Sequence, residues 1–337
     1  MKINAKLRKS INILSRIIFA GLALWFIYRQ TSGGNNFNQF ADNLNILFAD
    51  NYKKLLFALV VLLMPVNWGI ESLKWRLLIS HIEKVSFFDA YRSVMTGITM
   101  SLFTPNRVGE FFGRAFTLRS GETIKGALLT IAGSISQLLV TLIAGFVALI
   151  FYLPIYILQD ISWQKWLYAG LAVFLVAFSA MLIALYLKVP FLTEQFEKMV
   201  RPSWRKINSY LQAIDHLSQK ELIRVLIFSL LRYFVFSLQF FVLLRIFGVS
   251  IPYLNALMLI AMTYFVMSAI PTVALADLGI RGSVSIYFLG MYFAGNNYST
   301  EILAASTAVW MINLALPALS GILFIHRLKI FRKSKSG

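Results

Sequence analysis

Two short segments combine charged side chains with residues that end helices, and each follows an apolar stretch of the chain. They are TPNRVGEFFGRAF at 104–116 and IPTVALADLGIRGS at 270–283, and each holds a proline, a glycine, a carboxylate and an arginine. The planar fork of N–H donors on arginine suits phosphate, and a carboxylate can orient that arginine. A charge at the centre of a bilayer costs about 2.5–3.5 kcal/mol, so we expect both segments to serve a substrate path.

In the first segment, Glu110 and Arg114 are four residues apart, so a helix would place them on one face. The carboxylate follows Gly109, where the N-terminus of a helix would favour negative charge. We expect Arg107 and Arg114 to hold a lipid phosphate while Glu110 orients Arg114. The alternative is a solvated ion pair in a turn at the cytoplasmic edge.

The second segment repeats the same spacing between Asp277 and Arg281. Because its surroundings are more apolar, a fully solvated pair is less expected there. A further arginine, Arg232, lies in the apolar run LLRYFVFSLQ. It would pair with the substrate or with Asp277, or else extend to the cytoplasmic interface.

The candidate residues fall into three groups. The predicted substrate-binding residues are Arg107, Glu110, Arg114, Arg232, Asp277 and Arg281. A secondary polar pathway would use Asn106, Gln137 and Gln239, although glutamines also join neighbouring membrane helices. Helix breaks are predicted at Pro105, Gly109, Pro271 and Gly279. The group Glu71, Lys74, Trp75 and Arg76 is interpreted as an interfacial anchor.

The composition indicates a multi-pass membrane protein. Apolar residues make up 58% of the 337 residues, and the mean hydropathy is +0.71. The net charge of +18 comes from lysines and arginines clustered in loops and at both ends. Such clusters are typical of cytoplasmic segments, so we expect both termini in the cytoplasm, a plasma-membrane location and no nucleic-acid partner. With no cysteine and three scattered histidines, no metal site is expected.

The apolar runs predict an all-α polytopic fold in a single integral membrane domain, 1–337. Six full spans are predicted, at 11–29, 53–73, 123–153, 165–187, 222–247 and 300–325. The charged segments lie in two further elements, 86–122 and 252–294, which we interpret as re-entrant helical hairpins entering from opposite faces. They would belong to inverted repeats at 53–187 and 222–325. The alternative is ten spans, which the loop charges also allow. The basic loop 188–221 is expected to hold an interfacial helix.

Three motifs follow one another in a recognisable order. They are KWRLLI at 74–79, P-x-R-x-G-E-x-x-x-R at 105–114, and the late pattern at 271–281 that ends in Leu-Gly-Ile-Arg. Together they resemble the transmembrane region of lysylphosphatidylglycerol synthases and the related stand-alone flippase-like membrane proteins. The resemblance covers nearly the whole chain and implies a lipid flippase without the aminoacyl-transferring synthase domain.

Two departures from that family pattern bear on the substrate. The glutamate that follows the late arginine is Gly282 here, and Asp277 stands where the family has a glycine. The family often has an arginine and an acid in the helix after the first motif, whereas Ser134-Ile135-Ser136-Gln137 is uncharged. The choice of substrate is therefore open, and it need not be an aminoacyl lipid.

From these features we expect a transporter of an amphipathic, phosphate-bearing lipid or lipid-linked molecule rather than an enzyme. The sequence has no Walker loop, no GxSxG and no Rossmann fingerprint, and no cofactor is expected. The expected partners are membrane lipids, chiefly anionic phospholipid or a lipid-linked substrate, and a homo-oligomer is compatible with the sequence. Two alternatives stay open: a membrane-embedded transferase that uses polyprenyl phosphates, and a non-transporting assembly partner.

Overall fold

The computed structural model describes Leu14 and residues 50–102, 104, 107–156, 164–199, 210, 212–271, 274–293 and 298–325. Apart from Leu14, the predicted first span at 11–29 lies outside these residues, as do most of the loop 30–52 and both termini. Pro105 and Asn106 also lie outside them.

The described elements are all helical, which confirms the predicted fold class. They are α1 (Asn51–Leu78), α2 (Phe87–Ser101), α3 (Gly109–Ala115), α4 (Thr123–Tyr156), α5 (Gln164–Leu187), α6 (Val189–Met199), α7 (Gln219–Ile246), α8 (Tyr253–Ala269), α9 (Ala274–Gly290), α10 (Ser299–Trp310) and α11 (Leu316–Phe324). A π-helical turn, Met311–Ala315, joins α10 to α11. Short 3-10 turns follow α1 and α9.

Within the described residues, five helical stretches are long and apolar enough to cross a membrane. They are Asn51–His81, Thr123–Ile155, Lys165–Leu187, Gln219–Ile246 and Ser299–Phe324. These correspond to five of the six predicted spans. Only 11% of the α5 span is buried, against 67% of the last span, so α5 is peripheral and α10–α11 is central.

The two predicted hairpins correspond to α2 with α3 and to α8 with α9, and the two arms of each pack against one another. The second arm of the first hairpin is short, because α3 has only seven residues. Their depth in a membrane and their inverted-repeat relation remain predictions.

The predicted helix breaks are correct at some positions and wrong at one. α8 ends at Ala269, and Ile270 before Pro271 is extended, as the residue before a proline prefers. Gly109 begins α3 after the break that follows α2. Gly279 lies inside the continuous helix α9, so the break predicted there is wrong. A single glycine within a helix weakens it but does not need to end it.

The first hairpin packs directly on the last helix of the chain. Thr99 on α2 donates a hydrogen bond from Oγ1 to the carbonyl oxygen of Ala318, at 2.8 Å. Gly321 on α11 lies so close to the backbone of Met95 that a side chain would collide with it. Small residues allow such close approach between membrane helices. This contact brings the first charged segment beside the second half of the protein.

Candidate functional site

The position of α3 is fixed by glycines at its contact with α2. A Cβ atom on Gly97 would lie 2.7 Å from Cγ of Arg114, and one on Gly113 would lie 2.8 Å from Cα of Gly97. Distances this short exclude a side chain at either position without a shift of the helices. The glycines therefore allow α3 to carry Glu110 and Arg114 against the face of α2.

Arg107 adopts a backbone conformation that is uncommon for its residue type, with φ of +59°. Thr104 stabilises the turn, because its carbonyl oxygen accepts from the Arg107 N–H at 3.2 Å and its Oγ1 accepts from the Gly109 N–H at 2.7 Å. The Arg107 side chain is 47% exposed, and its ion pair with Glu110 is long, with 3.4 Å between Nη2 and Oε2. Of the arginines near this site, Arg107 is thus the most loosely held.

Glu71 on α1 is the centre of a buried cluster of charges. Its Oε1 accepts from Nη1 of Arg114 at 2.6 Å, and its Oε2 lies 2.8 Å from Nζ of Lys74. The Oε2 atom also accepts from Nη1 of Arg232. Three cations from three helices, α1, α3 and α7, thus share one carboxylate. Arg114 also donates a hydrogen bond to Glu110. Buried charges need such pairing, since an isolated ion in the interior is unstable.

Lys74 has neutral acceptors as well. Its Nζ donates to the carbonyl oxygen of Gly133 at 3.1 Å and to Oγ of Ser229 at 3.4 Å. Ser229 in turn shares a 2.7 Å hydrogen bond with Ser136. The lysine side chain is 1% exposed, so it ties α1 to α4 and α7 rather than facing solvent.

The cluster continues through Arg232 into the last part of the chain. Nε of Arg232 donates to Oδ1 of Asn67 at 3.0 Å, and Nδ2 of Asn67 donates to Oδ1 of Asn313 at 3.2 Å. The guanidinium also lies 4.8 Å from the ring centroid of Trp68, a cation–π contact. Asn313 belongs to the π-helical turn, a feature that is frequent at functional sites.

Both charged segments line one cavity of about 140 Å³. Arg107 comes from the first segment, and Asp277 and Arg281 come from the second. The other lining residues are Ser101, Leu102, Val309, Trp310, Asn313 and Leu314. Arg107 and Asn313 therefore line the same cavity. A chain of ion pairs and hydrogen bonds behind the wall also connects them, and it runs in order through Glu110, Arg114, Glu71, Arg232 and Asn67.

The second charged segment forms a simpler pair. Nη2 of Arg281 lies 3.2 Å from Oδ2 and 3.4 Å from Oδ1 of Asp277, as their spacing of four residues on α9 predicts. The two side chains are 20% and 13% exposed. This pair is in the cavity wall, whereas the Glu71 cluster lies behind it.

The remaining predicted residues lie away from the cavity. Arg114 is 2% exposed and is not among the lining residues, so it supports the wall instead of forming it. Arg232 pairs with Glu71, and within the described residues it makes no ion pair with Asp277, so that predicted pair is wrong. Gln137 donates to the Ser229 carbonyl at 3.3 Å, and Gln239 donates to a carbonyl of α1 at 2.9 Å. Both glutamines join helices, and Asn106 is outside the described residues.

Several residues of the site were missed or misinterpreted from the sequence. Glu71, Lys74 and Trp75 are buried, so their assignment to an interfacial anchor is wrong, whereas the exposed Arg76 fits it. The available signal was an acid inside an apolar helix, three residues before a lysine. The sequence carries no signal for three uncharged residues of the site, Asn67, Asn313 and Trp310. They are identified by contacts between helices that are distant in the sequence.

The electrostatic balance of the site is positive. The cations Arg107, Arg114, Arg232, Arg281 and Lys74 outnumber the carboxylates Glu71, Glu110 and Asp277, leaving an excess of two positive charges. In an interior of low dielectric constant, such an excess attracts an anion strongly. The described residues contain no group of three or more histidine or acidic side chains that could hold a metal ion.

Comparison with known families gives one match. The family model described as the lysylphosphatidylglycerol synthase TM region matches residues 13–321, nearly the whole chain. No curated protein and no solved structure matches the chain.

Proposed function

Because the chain belongs to the family of lysylphosphatidylglycerol synthase transmembrane regions, we propose that it transports a lipid or lipid-linked molecule across the cytoplasmic membrane. The phosphate-bearing headgroup would occupy the cavity between Arg107 and Arg281, while the acyl tails stay in the bilayer. The chain would act as a transporter and not as an enzyme.

One observation supports this proposal above the others. Two arginines from charged segments far apart in the sequence line a single cavity, beside a cluster that carries more positive than negative charge. Arginine binds phosphate oxygens through paired N–H donors, and a buried site strengthens that attraction. Polar side chains placed within membrane helices mark substrate paths because their burial is otherwise costly.

In this proposal the buried cluster acts as a support for the cavity wall. Glu71 and Glu110 hold Arg114 from two sides, and Glu110 also holds Arg107. An incoming phosphate would compete with Glu110 for Arg107. The Arg107–Glu110 contact, at 3.4 Å, is longer than the ion pairs that Glu71 makes with Lys74 and Arg114. Movement of the two hairpins against each other would then open the site to either side of the membrane, as in transporters built from repeats.

The proposal is tested by lipid translocation in liposomes that contain only the purified protein. Short-chain phosphatidylglycerol carrying a fluorophore on the acyl chain reports translocation when an impermeant reductant quenches the outer leaflet. We expect translocation by the wild type and at least a tenfold loss in Arg107→Ala and Arg281→Ala. Arg224→Ala is the matched control, because this exposed arginine lies on α7 away from the cavity. Folded protein that leaves the lipid in its original leaflet would overturn the proposal.

The orientation is part of the same proposal, with both termini in the cytoplasm. The chain has no cysteine, so single cysteines can be introduced one at a time and labelled by an impermeant reagent in intact cells. We expect a cysteine in the tail after residue 326 to be protected until the cells are opened. Labelling of that tail from outside would contradict the orientation.

A further inference from the structure

We infer that Trp310 recognises the headgroup in this cavity, and that the headgroup is an anionic phosphodiester rather than a cation-bearing group. The inference rests on the proposed function and specifies the ligand of the same site. It follows from three observations: an unbonded donor on Trp310, the balance of donors and acceptors in the cavity wall, and the excess of positive charge around it.

Trp310 is a cavity-lining residue with an unused hydrogen-bond donor. It is 3% exposed, and within the described residues its Nε1 has no acceptor. The indole nitrogen can only donate a hydrogen bond. Most buried polar atoms in proteins have a partner, so an unpaired donor beside a cavity needs an explanation. A ligand oxygen in the cavity would supply the missing acceptor.

The local backbone places Trp310 where α10 gives way to the π-helical turn. The N–H of Leu316 donates to the carbonyl oxygen of Met311, which is the i to i+5 pattern of a π-helix. Pro317 follows directly and lacks the N–H that would continue an α-helical pattern at that position. Val309, Trp310, Asn313 and Leu314, from this junction, line the cavity together with residues of the two charged segments.

Among the described residues of the wall, the free hydrogen-bonding capacity consists mainly of donors. Asp277 is the carboxylate in the wall, and both of its oxygens already face Arg281. Nε of Arg281 is enclosed and has no partner among the described residues. Arg107 is about half exposed and only loosely paired. A ligand that satisfies these groups must bring acceptors, and the oxygens of a phosphodiester do so.

The charge balance selects among phosphate-bearing headgroups. The site carries two positive charges in excess, so a monoanionic phosphodiester is attracted and a headgroup with an added ammonium group is disfavoured. Among the described residues that line the cavity, Asp277 is the only carboxylate that could contact such an ammonium group. Asp277 already forms an ion pair with Arg281, so its charge is balanced without a ligand.

The test is ligand-induced thermal stabilisation of the purified full chain in detergent. The probes are dihexanoylphosphatidylglycerol, dihexanoylphosphatidylcholine and inorganic phosphate at equal concentrations. We expect the anionic lipid to raise the melting temperature most. Trp310→Phe removes the N–H and should weaken that binding about tenfold. Trp310→His should recover part of the loss, because its five-membered ring can place Nε2 where the indole nitrogen lies.

The controls separate recognition from damage to the fold. Trp166→Phe replaces a tryptophan that is 85% exposed on α5, and it should leave the ligand-induced shift unchanged. Comparing each variant with and without ligand removes any change in its own stability. A shift that is equal for Trp310→Phe and the wild type would overturn the role of Trp310.

Other outcomes would overturn the ligand class. An equal shift with phosphatidylcholine would contradict selection for an anion, and an equal shift with inorganic phosphate would assign the site to free phosphate instead of a lipid. The liposome assay answers a different question. Trp310-dependent binding without translocation would refute the proposed transport and leave the recognition site standing, whereas translocation unaffected by Trp310→Phe would refute the recognition site alone.

Discussion

Glu71 and Arg232 form a largely buried ion pair although they are 161 residues apart in the sequence. The carboxylate lies on α1 and the guanidinium on α7, so the pair joins the first half of the chain to the second. The same carboxylate holds Arg114 of the first charged segment. Glu71 thus joins helices from both halves of the chain, and it also holds the arginine that supports the cavity wall.

Removing the charge of Glu71 should therefore destabilise the protein. Glu71→Gln leaves Lys74, Arg114 and Arg232 without their shared anion, and breaking a buried pair by removing one partner costs about 3–5 kcal/mol. The measurement is the melting temperature of the purified protein. Glu122→Gln is the control, because that carboxylate is 45% exposed and pairs with Lys125 at 3.3 Å. Equal melting temperatures for the two variants would contradict a structural role of Glu71.

Arg107 offers a way to separate stability from binding. Arg107→Gly removes both the side chain and the steric cost of the left-handed backbone, which is of order 1 kcal/mol for residues other than glycine. Arg107→Ala removes the side chain but keeps that cost. We expect both variants to lose headgroup binding equally, while only the glycine variant gains thermal stability. Retained binding in either variant would show that the Arg107 side chain is not part of the site.

The helices were predictable from the sequence because apolar runs of sufficient length leave few alternatives in a membrane protein. Four of the five predicted spans match the observed helices within about three residues, and α1 runs five residues beyond its predicted end at 73. Glu110 with Arg114 and Asp277 with Arg281 pair as their spacing predicts. These are local relations, set by helical periodicity within one element.

The centre of the site was not predictable in the same way. Whether Glu71 faces solvent at the end of a span or binds Arg114 and Arg232 depends on which helices meet, and the sequence near Glu71 is compatible with both. The same holds for Asn67 and Asn313, which are 246 residues apart and give no charge signal. The error at Gly279 has a local cause, because a glycine within a helix was interpreted as a break.

Asp277 should be needed for transport and not for folding. Its pair with Arg281 is partly exposed, so Asp277→Asn leaves a cation that water or ligand can still reach. We expect a melting temperature within a few degrees of the wild type and a loss of lipid translocation. The control is Asp50→Asn, because asparagine caps a helix as well as aspartate does. Full translocation by a folded Asp277→Asn protein would remove Asp277 from the site.

The contact between α2 and α3 should be sensitive to a single added methyl group. In Gly97→Ala the new Cβ would lie 2.7 Å from the Arg114 side chain, so the helices must separate and the cavity wall must shift. We expect reduced translocation together with a lower melting temperature. Gly170→Ala is the matched control, because nothing lies within 4 Å of its added Cβ and alanine favours the helix by up to about 1 kcal/mol. Opposite effects of the two substitutions on melting temperature would support the close contact, and a harmless Gly97→Ala would contradict it.

Arg107 and Arg281 should act on the same bound headgroup, because both line one cavity while they come from different halves of the chain. Each substitution to alanine is expected to weaken binding of dihexanoylphosphatidylglycerol. The double variant should lose less than the sum of the two free-energy changes, since residues that serve one ligand are coupled. Arg107→Ala combined with Arg224→Ala provides the additive reference, because Arg224 is exposed and outside the cavity. Strict additivity between Arg107 and Arg281 would mean that the two segments bind separate ligands, and the single-site mechanism would then be wrong.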